Sequence, residues 1–234
     1  MLKTINNDYN YSIFIEQLAL LSNSKTIVEL GVQYGDTSVY LASVAKKNSG
    51  FFYGYDFWDE IGAYIGPNKV NTTKENIDKK LIELGYNDKN FKLTKIDTTS
   101  QEFEDILLKD TGGKIDFAFI DGDHSYNGVK NDFNKVYKYL TEEGIIVFHD
   151  TYSHVGCRKF VIDLYTELND NTFDIINLPY GGGATRYGLT ILVKRSFPLY
   201  NSGIINSLHE TGGLDSDTVY KLEKEWYNKV LKNG

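Results

Sequence analysis

The chain has 234 residues, with 41% hydrophobic and 24% charged residues, a composition typical of a soluble globular domain with a sizeable core. Its net charge of −7 disfavours non-specific binding to the nucleic acid backbone. Because it shows no apolar run of about 20 residues, no signal-peptide pattern and a single cysteine, we expect a cytoplasmic protein without an internal disulfide.

The first predicted element is an N-terminal helix within residues 10–23. In Tyr11–Leu21, the apolar residues Ile13, Phe14, Leu18 and Leu21 recur at helical spacing. We expect this helix to pack on the domain or to cover its functional site.

A strand, a glycine turn and a second helix follow. Thr26–Leu30 is a short apolar run that contains Glu29, and Gly31 and Gly35 bracket a turn before a helix that continues to about Lys47. The turn has the form E-x-G-x-x-x-G and differs from the G-x-G-x-x-G turn that holds a dinucleotide pyrophosphate. An acid ahead of the first glycine suits a ligand that carries an amino group.

Two further strands also end in acids. Phe51–Asp56 is a predicted strand, and Asp56 stands where an open α/β sheet places an acid for the hydroxyls of a ribose. The aromatic loop Phe57–Lys69 and a predicted helix over Asn71–Leu84 come next. A third strand, Phe91–Ile96, is followed by Asp97, Thr98 and a helix with an acidic first turn.

The next stretch predicts the centre of the sheet. The nearly unbroken apolar run Ile115–Ile120 is typical of a parallel strand buried on both faces, and it ends at Asp121. A helix over Tyr126–Leu140 and a fifth strand, Ile145–Phe148, follow, and that strand leads directly into Asp150.

The end of the chain predicts a helix over Gly156–Leu168 and two antiparallel strands, Phe173–Leu178 and Tyr187–Val193. A polar amphipathic helix, Asp215–Leu231, comes last. The alternation of strands and helices along the chain predicts one Rossmann-like, doubly wound α/β domain with a seven-stranded sheet whose last strand is antiparallel. Its core spans residues 25–194, and a helical extension spans residues 200–234.

Acids end five of the predicted strands in a row. Ligands of such sheets bind at the carboxyl ends of the strands, so we expect these side chains to converge on one rim. The five acids are Glu29, Asp56, Asp97, Asp121 and Asp150.

Several of these motifs resemble those of class I S-adenosylmethionine-dependent methyltransferases, and the resemblance runs from Thr26 to Val193. VELGVQYGDTS resembles the first motif of that superfamily, and YGYD, KIDTTS and FAFIDGDHSY resemble later ones. The stretch IDGDHSYNGVKNDFNKVYKYLTEEGIIVFHDT is more specific. It resembles small-molecule O-methyltransferases of the family that includes macrolide-sugar and catechol-type enzymes.

The resemblance implies a site for S-adenosylmethionine. Glu29 and Gly31 are expected against the methionine part, Asp56 at both ribose hydroxyls, and Asp97 with Thr98 at the adenine edge. The full cofactor-binding set that we predict is Glu29, Gly31, Val32, Gly35, Thr37, Asp56, Phe57, Asp97, Thr98 and Asp121.

The resemblance also implies a divalent metal, usually Mg²⁺, on Asp121 and Asp150. Many relatives have Asn or Asp as a third ligand where this chain has Thr151. His149 is the alternative third ligand, although imidazole is softer than Mg²⁺ prefers. The predicted general base is His124, because an imidazole with a pKa near 6.5 suits proton removal at neutral pH.

The expected acceptor is a hydroxyl of a small polar molecule, such as a sugar or a glycosylated metabolite. Tyr180, Arg186 and Tyr187 are the predicted substrate contacts, because their loop leaves the same rim. The N-terminal and C-terminal helices are candidate surfaces for a homodimer. Two alternatives stay open, an NAD-dependent oxidoreductase on a similar sheet and a non-catalytic nucleoside-binding scaffold.

Overall fold

The structure is a computed structural model that describes residues 11–58, 73–168, 172–178 and 187–195. All of them belong to the first of the two compact units of the chain, Met1–Ser196. The predicted final helix and most of the predicted loop Phe57–Lys69 lie outside the described residues.

Helices and strands alternate along the described part of the chain. The helices are α1 (Tyr11–Leu21), α2 (Asp36–Lys47), α3 (Lys74–Glu83), α4 (Gln101–Thr111), α5 (Tyr126–Tyr139) and α6 (Val155–Thr166). The strands are β1 (Thr26–Leu30), β2 (Phe51–Asp56), β3 (Phe91–Lys95), β4 (Ile115–Ile120), β5 (Leu140–His149), β6 (Phe173–Leu178) and β7 (Leu189–Lys194). Among these helices, none is long and apolar enough to cross a membrane.

The strands form one seven-stranded sheet in the order β3-β2-β1-β4-β5-β7-β6. β1 to β5 pair in parallel, and β7 runs antiparallel to both β5 and β6. The predicted fold class is therefore confirmed. The chain moves outward from β1 to β3 and then returns to β4 on the other side of β1, so β1 and β4 flank the topological switch point of the sheet.

The central strand β4 is buried on both faces, as its apolar run predicts. Phe117 and Phe119 pack in the hydrophobic cluster on one face, whereas Ala118 and Ile120 pack in the cluster on the other. Both faces of the sheet are thus covered, which leaves the ends of the strands as its accessible edges.

The buried face of α1 carries only part of the apolar pattern seen in the sequence. Ile15 and Ala19 are fully buried, whereas Ile13 and Leu21 are 43% and 85% exposed. Residues four apart lie on one helix face, so the face that packs on the core is the one that carries Tyr11, Ile15 and Ala19. The apolar residues that defined the sequence pattern lie in part on the outer side.

Strand β5 is longer than predicted. Its first residue, Leu140, already pairs with Ile115, and the register shifts before the pairing of Phe117 with Ile145. The hydroxyl of Thr141 donates a 3.1 Å hydrogen bond to the Ile115 carbonyl oxygen across this irregularity. Polar residues that read as a loop in the sequence are therefore held in the strand by β4.

Candidate functional site

The glycine turn after β1 lies tightly against the end of β4. Gly31 adopts a φ of 89°, and a Cβ atom on it would lie 2.1 Å from the Asp121 carbonyl oxygen. Only glycine fits this position without displacing the neighbouring strand. The turn therefore brings the backbone that follows β1 next to Asp121, the residue directly after β4.

Asp56, at the end of β2, is held by the same turn. Its Oδ2 atom accepts hydrogen bonds of 2.8 Å from the backbone N–H groups of Val32 and Gln33, and its Oδ1 atom accepts one of 2.7 Å from Trp58. A carboxylate oxygen has two lone-pair sites, so Oδ1 retains acceptor capacity for a ligand hydroxyl. The side chain is partly exposed beside the turn.

Glu29 lies beneath this turn and is 1% exposed. The Ser38 hydroxyl of α2 donates a hydrogen bond to its carboxylate. Burial raises the pKa of Glu29 well above its usual value, and the negative charges of Asp121 and Asp56 raise it further. An ammonium group of a ligand would favour the ionised carboxylate and would oppose this shift.

Asp97 and Thr98 form a turn after β3 that is tied to α5. The Asp97 Oδ1 atom accepts hydrogen bonds from the backbone N–H and the hydroxyl of Thr99, at 2.8 and 2.7 Å. The Thr98 carbonyl oxygen accepts hydrogen bonds from Asn131 and Lys135. The predicted adenine-edge residues are thus fixed by their own turn and by the helix after β4.

The ends of β4 and β5 bring together histidines and aspartates. The Nε2 atom of His124 lies 3.3 Å from Asp121 Oδ1 and 3.3 Å from Asp150 Oδ2. The Nδ1 atom of His149 lies 3.0 Å from Asp121 Oδ1 and 3.5 Å from Asp150 Oδ2. The Nδ1 atom of His154 is also 3.3 Å from Asp150 Oδ2. These five residues are called the His–Asp cluster below.

Electrostatic coupling is strong within the His–Asp cluster. Burial alone would lower the pKa of His149, but the carboxylates of Asp121 and Asp150 raise it to about 10. Burial alone would raise the pKa of Asp150, but its contacts with His149 and Ser153 lower it to about 2. The hydrogen bond to Asp121 raises the pKa of His124 above 6.5 against the effect of burial.

Two aromatic side chains flank His149. The ring centroid of Tyr11, from α1, lies 4.4 Å from that of His149. The Tyr187 ring stacks on the His149 ring with a centroid separation of 5.8 Å. Burial raises the pKa of Tyr11, and the charge of Asp121 adds to the shift. Of the three predicted substrate contacts, Tyr187 therefore lies at the cluster, whereas Tyr180 and Arg186 fall outside the described residues.

The sequence interpretation missed Tyr11 and Asp132 as residues of this region. Tyr11 stands one helical turn before the buried Ile15, which is the signal that would have placed it on the inner face of α1. Asp132, on α5, is fully buried, and a Cβ atom on Gly122 would lie 3.2 Å from its Oδ2 atom. An acid on the inner face of a predicted helix is the corresponding signal for Asp132.

Two groups of side chains have metal-ligand spacing within the described residues. One is Asp121, His149 and Asp150, which is the predicted metal set, and the other is His124, Asp150 and His154. Mg²⁺ prefers six oxygen ligands in near-ideal octahedral geometry. Each group includes imidazole nitrogen, so the donor set fits a divalent cation but does not match the preference of Mg²⁺.

Comparison with known proteins identifies the family. A family model described as a methyltransferase domain matches residues 28–151, more than half of the chain. The chain therefore belongs to this methyltransferase-domain family. The membership agrees with the S-adenosylmethionine-dependent O-methyltransferase that the sequence motifs predict.

Individual proteins match this chain over a short stretch or at low sequence identity. The uncharacterized protein R132 of Acanthamoeba polyphaga mimivirus is 37% identical over 86 residues, an alignment that spans 37% of this chain and 38% of the viral protein. The O-methyltransferase TomG of Streptomyces achromogenes, involved in tomaymycin synthesis and solved with S-adenosylmethionine, has a TM-score of 0.62, 16% identity and coverage of 83% of this chain and 84% of its own. An O-methyltransferase of Bacillus cereus in complex with S-adenosylhomocysteine has a TM-score of 0.60, 15% identity and the same coverage. At these identities, the two structures establish the shared fold.

Proposed function

We propose that this protein transfers a methyl group from S-adenosylmethionine to a hydroxyl of a small polar molecule. The observation that carries the proposal is the position of His124, whose imidazole lies 3.3 Å from both Asp121 and Asp150 at the carboxyl ends of β4 and β5. Glu29 and Asp56 lie at the ends of the neighbouring strands. A candidate base and the candidate cofactor acids therefore belong to the same rim, and the family membership supports the reaction class.

We assign the S-adenosylmethionine site to the carboxyl ends of β1, β2 and β3. Glu29 receives the ammonium of the methionine part, since a buried carboxylate is stabilised by an opposite charge. Asp56 accepts the ribose hydroxyls while the turn N–H groups orient its carboxylate. The Asp97–Thr98 turn lies at the adenine edge. The turn residues Gly31, Val32, Gly35 and Thr37, together with Phe57 and Asp121, complete this set.

Bound S-adenosylmethionine supplies the methyl group on a sulfonium that is already activated. The protein has to align the acceptor oxygen and to remove its proton. As the oxygen attacks the methyl carbon, the electron pair of the carbon–sulfur bond leaves with sulfur, and His124 takes the hydroxyl proton. The 3.3 Å contact between Nε2 and Asp121 orients this ring. The nearby sulfonium charge favours the neutral imidazole that this step needs.

The acceptor is assigned to the side of the cluster that carries Tyr187, with Tyr180 and Arg186 as further contacts. A sugar hydroxyl fits an environment of aromatic and polar side chains. A divalent cation on Asp121, His149 and Asp150 would fix the acceptor oxygen and lower the pKa of its hydroxyl. Mg²⁺ is the ion that the family resemblance implies. We also propose that the protein acts in the cytoplasm, with the homodimer as its candidate assembly.

The test combines ligand binding with an acceptor screen on the full chain. S-adenosylhomocysteine should raise the melting temperature, because a ligand that binds only the folded state stabilises it, whereas NAD should not. Methyl-labelled S-adenosylmethionine and a panel of sugars and phenols then report transfer. A shift with NAD alone would indicate an oxidoreductase, and no shift with either ligand would indicate a scaffold.

A further inference from the structure

One carboxylate oxygen of the His–Asp cluster has several imidazole nitrogens close to it. The Asp150 Oδ2 atom has three imidazole nitrogens around it, at 3.3 Å from His124, 3.5 Å from His149 and 3.3 Å from His154. These are three of the four histidines in the chain. A site built for magnesium alone would need oxygen donors at these places.

The spacing of the donor atoms suits a single small cation. Ligands that lie about 2.1 Å from a metal are separated by roughly 3.0 Å in octahedral and 3.4 Å in tetrahedral geometry. The nitrogen–oxygen distances that link Asp121, His149 and Asp150 are 3.0 and 3.5 Å. One ligand atom from each of the three side chains lies within 4.8 Å of the other two, a spacing compatible with a shared ion.

Burial and backbone geometry hold these three ligands in place. The side chains of His149 and Asp150 are each 8% exposed, and that of Asp121 is 21% exposed. Tyr11 and Tyr187 pack on the His149 ring, and Ser153 donates a 2.6 Å hydrogen bond to Asp150 Oδ1. Asp150 adopts a left-handed φ of 57°, a strained conformation that turns the chain sharply after β5.

We propose that Asp121, His149 and Asp150 bind a first-row transition-metal dication, of the class of Mn²⁺, Fe²⁺, Co²⁺ or Zn²⁺, in preference to Mg²⁺. Imidazole suits these ions better than it suits magnesium, and the carboxylates supply the charge that a dication requires. His154 is 47% exposed and belongs to the other group, with His124 and Asp150, so it is not one of the three proposed ligands. The inference deepens the metal site of the proposed function, and its test does not require methyl transfer.

The experiment measures metal preference on the full chain after chelation and dialysis. Thermal shift and isothermal titration compare Mn²⁺, Co²⁺, Zn²⁺ and Mg²⁺, and the absorption spectrum of the Co²⁺ form reports its ligands. We expect the transition metals to bind about tenfold or more tightly than Mg²⁺. Equal or tighter binding of Mg²⁺ by the unmodified chain would overturn the proposal, whatever the variants do.

Two histidine variants then identify the nitrogen ligand. His149→Asp replaces the imidazole by an oxygen donor and should move the preference towards Mg²⁺ by about tenfold or more. His154→Ala is the matched control and should leave the Co²⁺ spectrum and its affinity unchanged. Loss of Co²⁺ binding in His154→Ala with retention in His149→Asp would overturn the ligand assignment. Circular dichroism checks that each variant is folded, and binding of S-adenosylhomocysteine tests the proposed function separately.

Discussion

The backbone N–H of Val32 donates a 2.8 Å hydrogen bond to the Oδ2 atom of Asp56. This bond joins the glycine turn after β1 to the end of β2, across 24 residues of sequence. The turn and the acid therefore form one unit, and a ligand that contacts either one depends on both.

The first prediction concerns Asp56. Asp56→Ala should weaken binding of S-adenosylhomocysteine by about tenfold to a hundredfold, because a hydrogen bond to a charged group contributes roughly 1.5–3 kcal/mol. Isothermal titration measures the change. Asp105→Asn, an exposed acid on α4, is the control and should bind as the unmodified chain does. Undiminished affinity in Asp56→Ala would remove Asp56 from the cofactor site.

The second prediction concerns His124. His124→Ala should lower the turnover number by about 10²–10⁴-fold, the usual contribution of general acid–base catalysis, while the affinity for S-adenosylhomocysteine stays the same. Steady-state kinetics and titration separate the two quantities. Parallel loss of turnover and affinity would show that His124 supports the structure of the loop after β4 and does not act as the base.

The third prediction concerns Tyr11, which connects α1 to the His–Asp cluster. Tyr11→Ala removes a partly buried ring that contacts His149 and should lower the free energy of unfolding by about 2 kcal/mol. Tyr11→Phe keeps the ring and should retain most of this stability. Urea unfolding of the two variants measures the difference. Equal stability of both variants would mean that the ring does not anchor α1.

The fourth prediction concerns the pH dependence of stability. Within the part of the chain that the structure describes, no donor reaches either carboxylate oxygen of Asp132 with full hydrogen-bond geometry. Burial raises the pKa of Asp132 to about 7, although Thr98 and Lys135 oppose the shift. Between pH values of about 4 and 7, the unfolded chain releases this proton whereas the folded protein keeps it. Stability is therefore lost as the pH rises through this range, and the loss is complete above the folded pKa.

Asp132→Asn removes this titration. Relative to the unmodified chain, the variant should gain about 3 kcal/mol of stability between roughly pH 5 and pH 8, since one pKa unit corresponds to about 1.4 kcal/mol. Denaturant unfolding at both pH values measures the change, and Asp105→Asn should show no such gain. A constant difference between Asp132→Asn and the unmodified chain would contradict the shifted pKa.

The sequence predicted the sheet well because its strands carry strong local signals. The run Ile115–Ile120 is apolar at nearly every position, as a strand buried on both faces requires, and each of the first five strands has an acid at or just beyond its end. Parallel strands place their carboxyl ends at one edge. The proximity of Asp121 to Asp150 was therefore predictable from the sequence of strands and acids along the chain.

Contacts that depend on tertiary packing were not predictable in the same way. Ile13 and Leu21 belong to the apolar pattern that predicts α1 but are exposed in the structure, because hydrophobic spacing does not distinguish a buried face from an exposed apolar one. His154 lies in a turn after β5, and its approach to Asp150 depends on the left-handed conformation of that aspartate. Sequence spacing carries no information on such a backbone conformation.

The most direct test of the cofactor site is isothermal titration of the full chain with S-adenosylhomocysteine, in the absence and presence of Mn²⁺ or Mg²⁺. We expect saturable binding with one site per chain, and a stronger effect of Mn²⁺ than of Mg²⁺ on the measured affinity. Absence of binding under all three conditions would contradict the assignment of Glu29, Asp56 and the glycine turn to the cofactor.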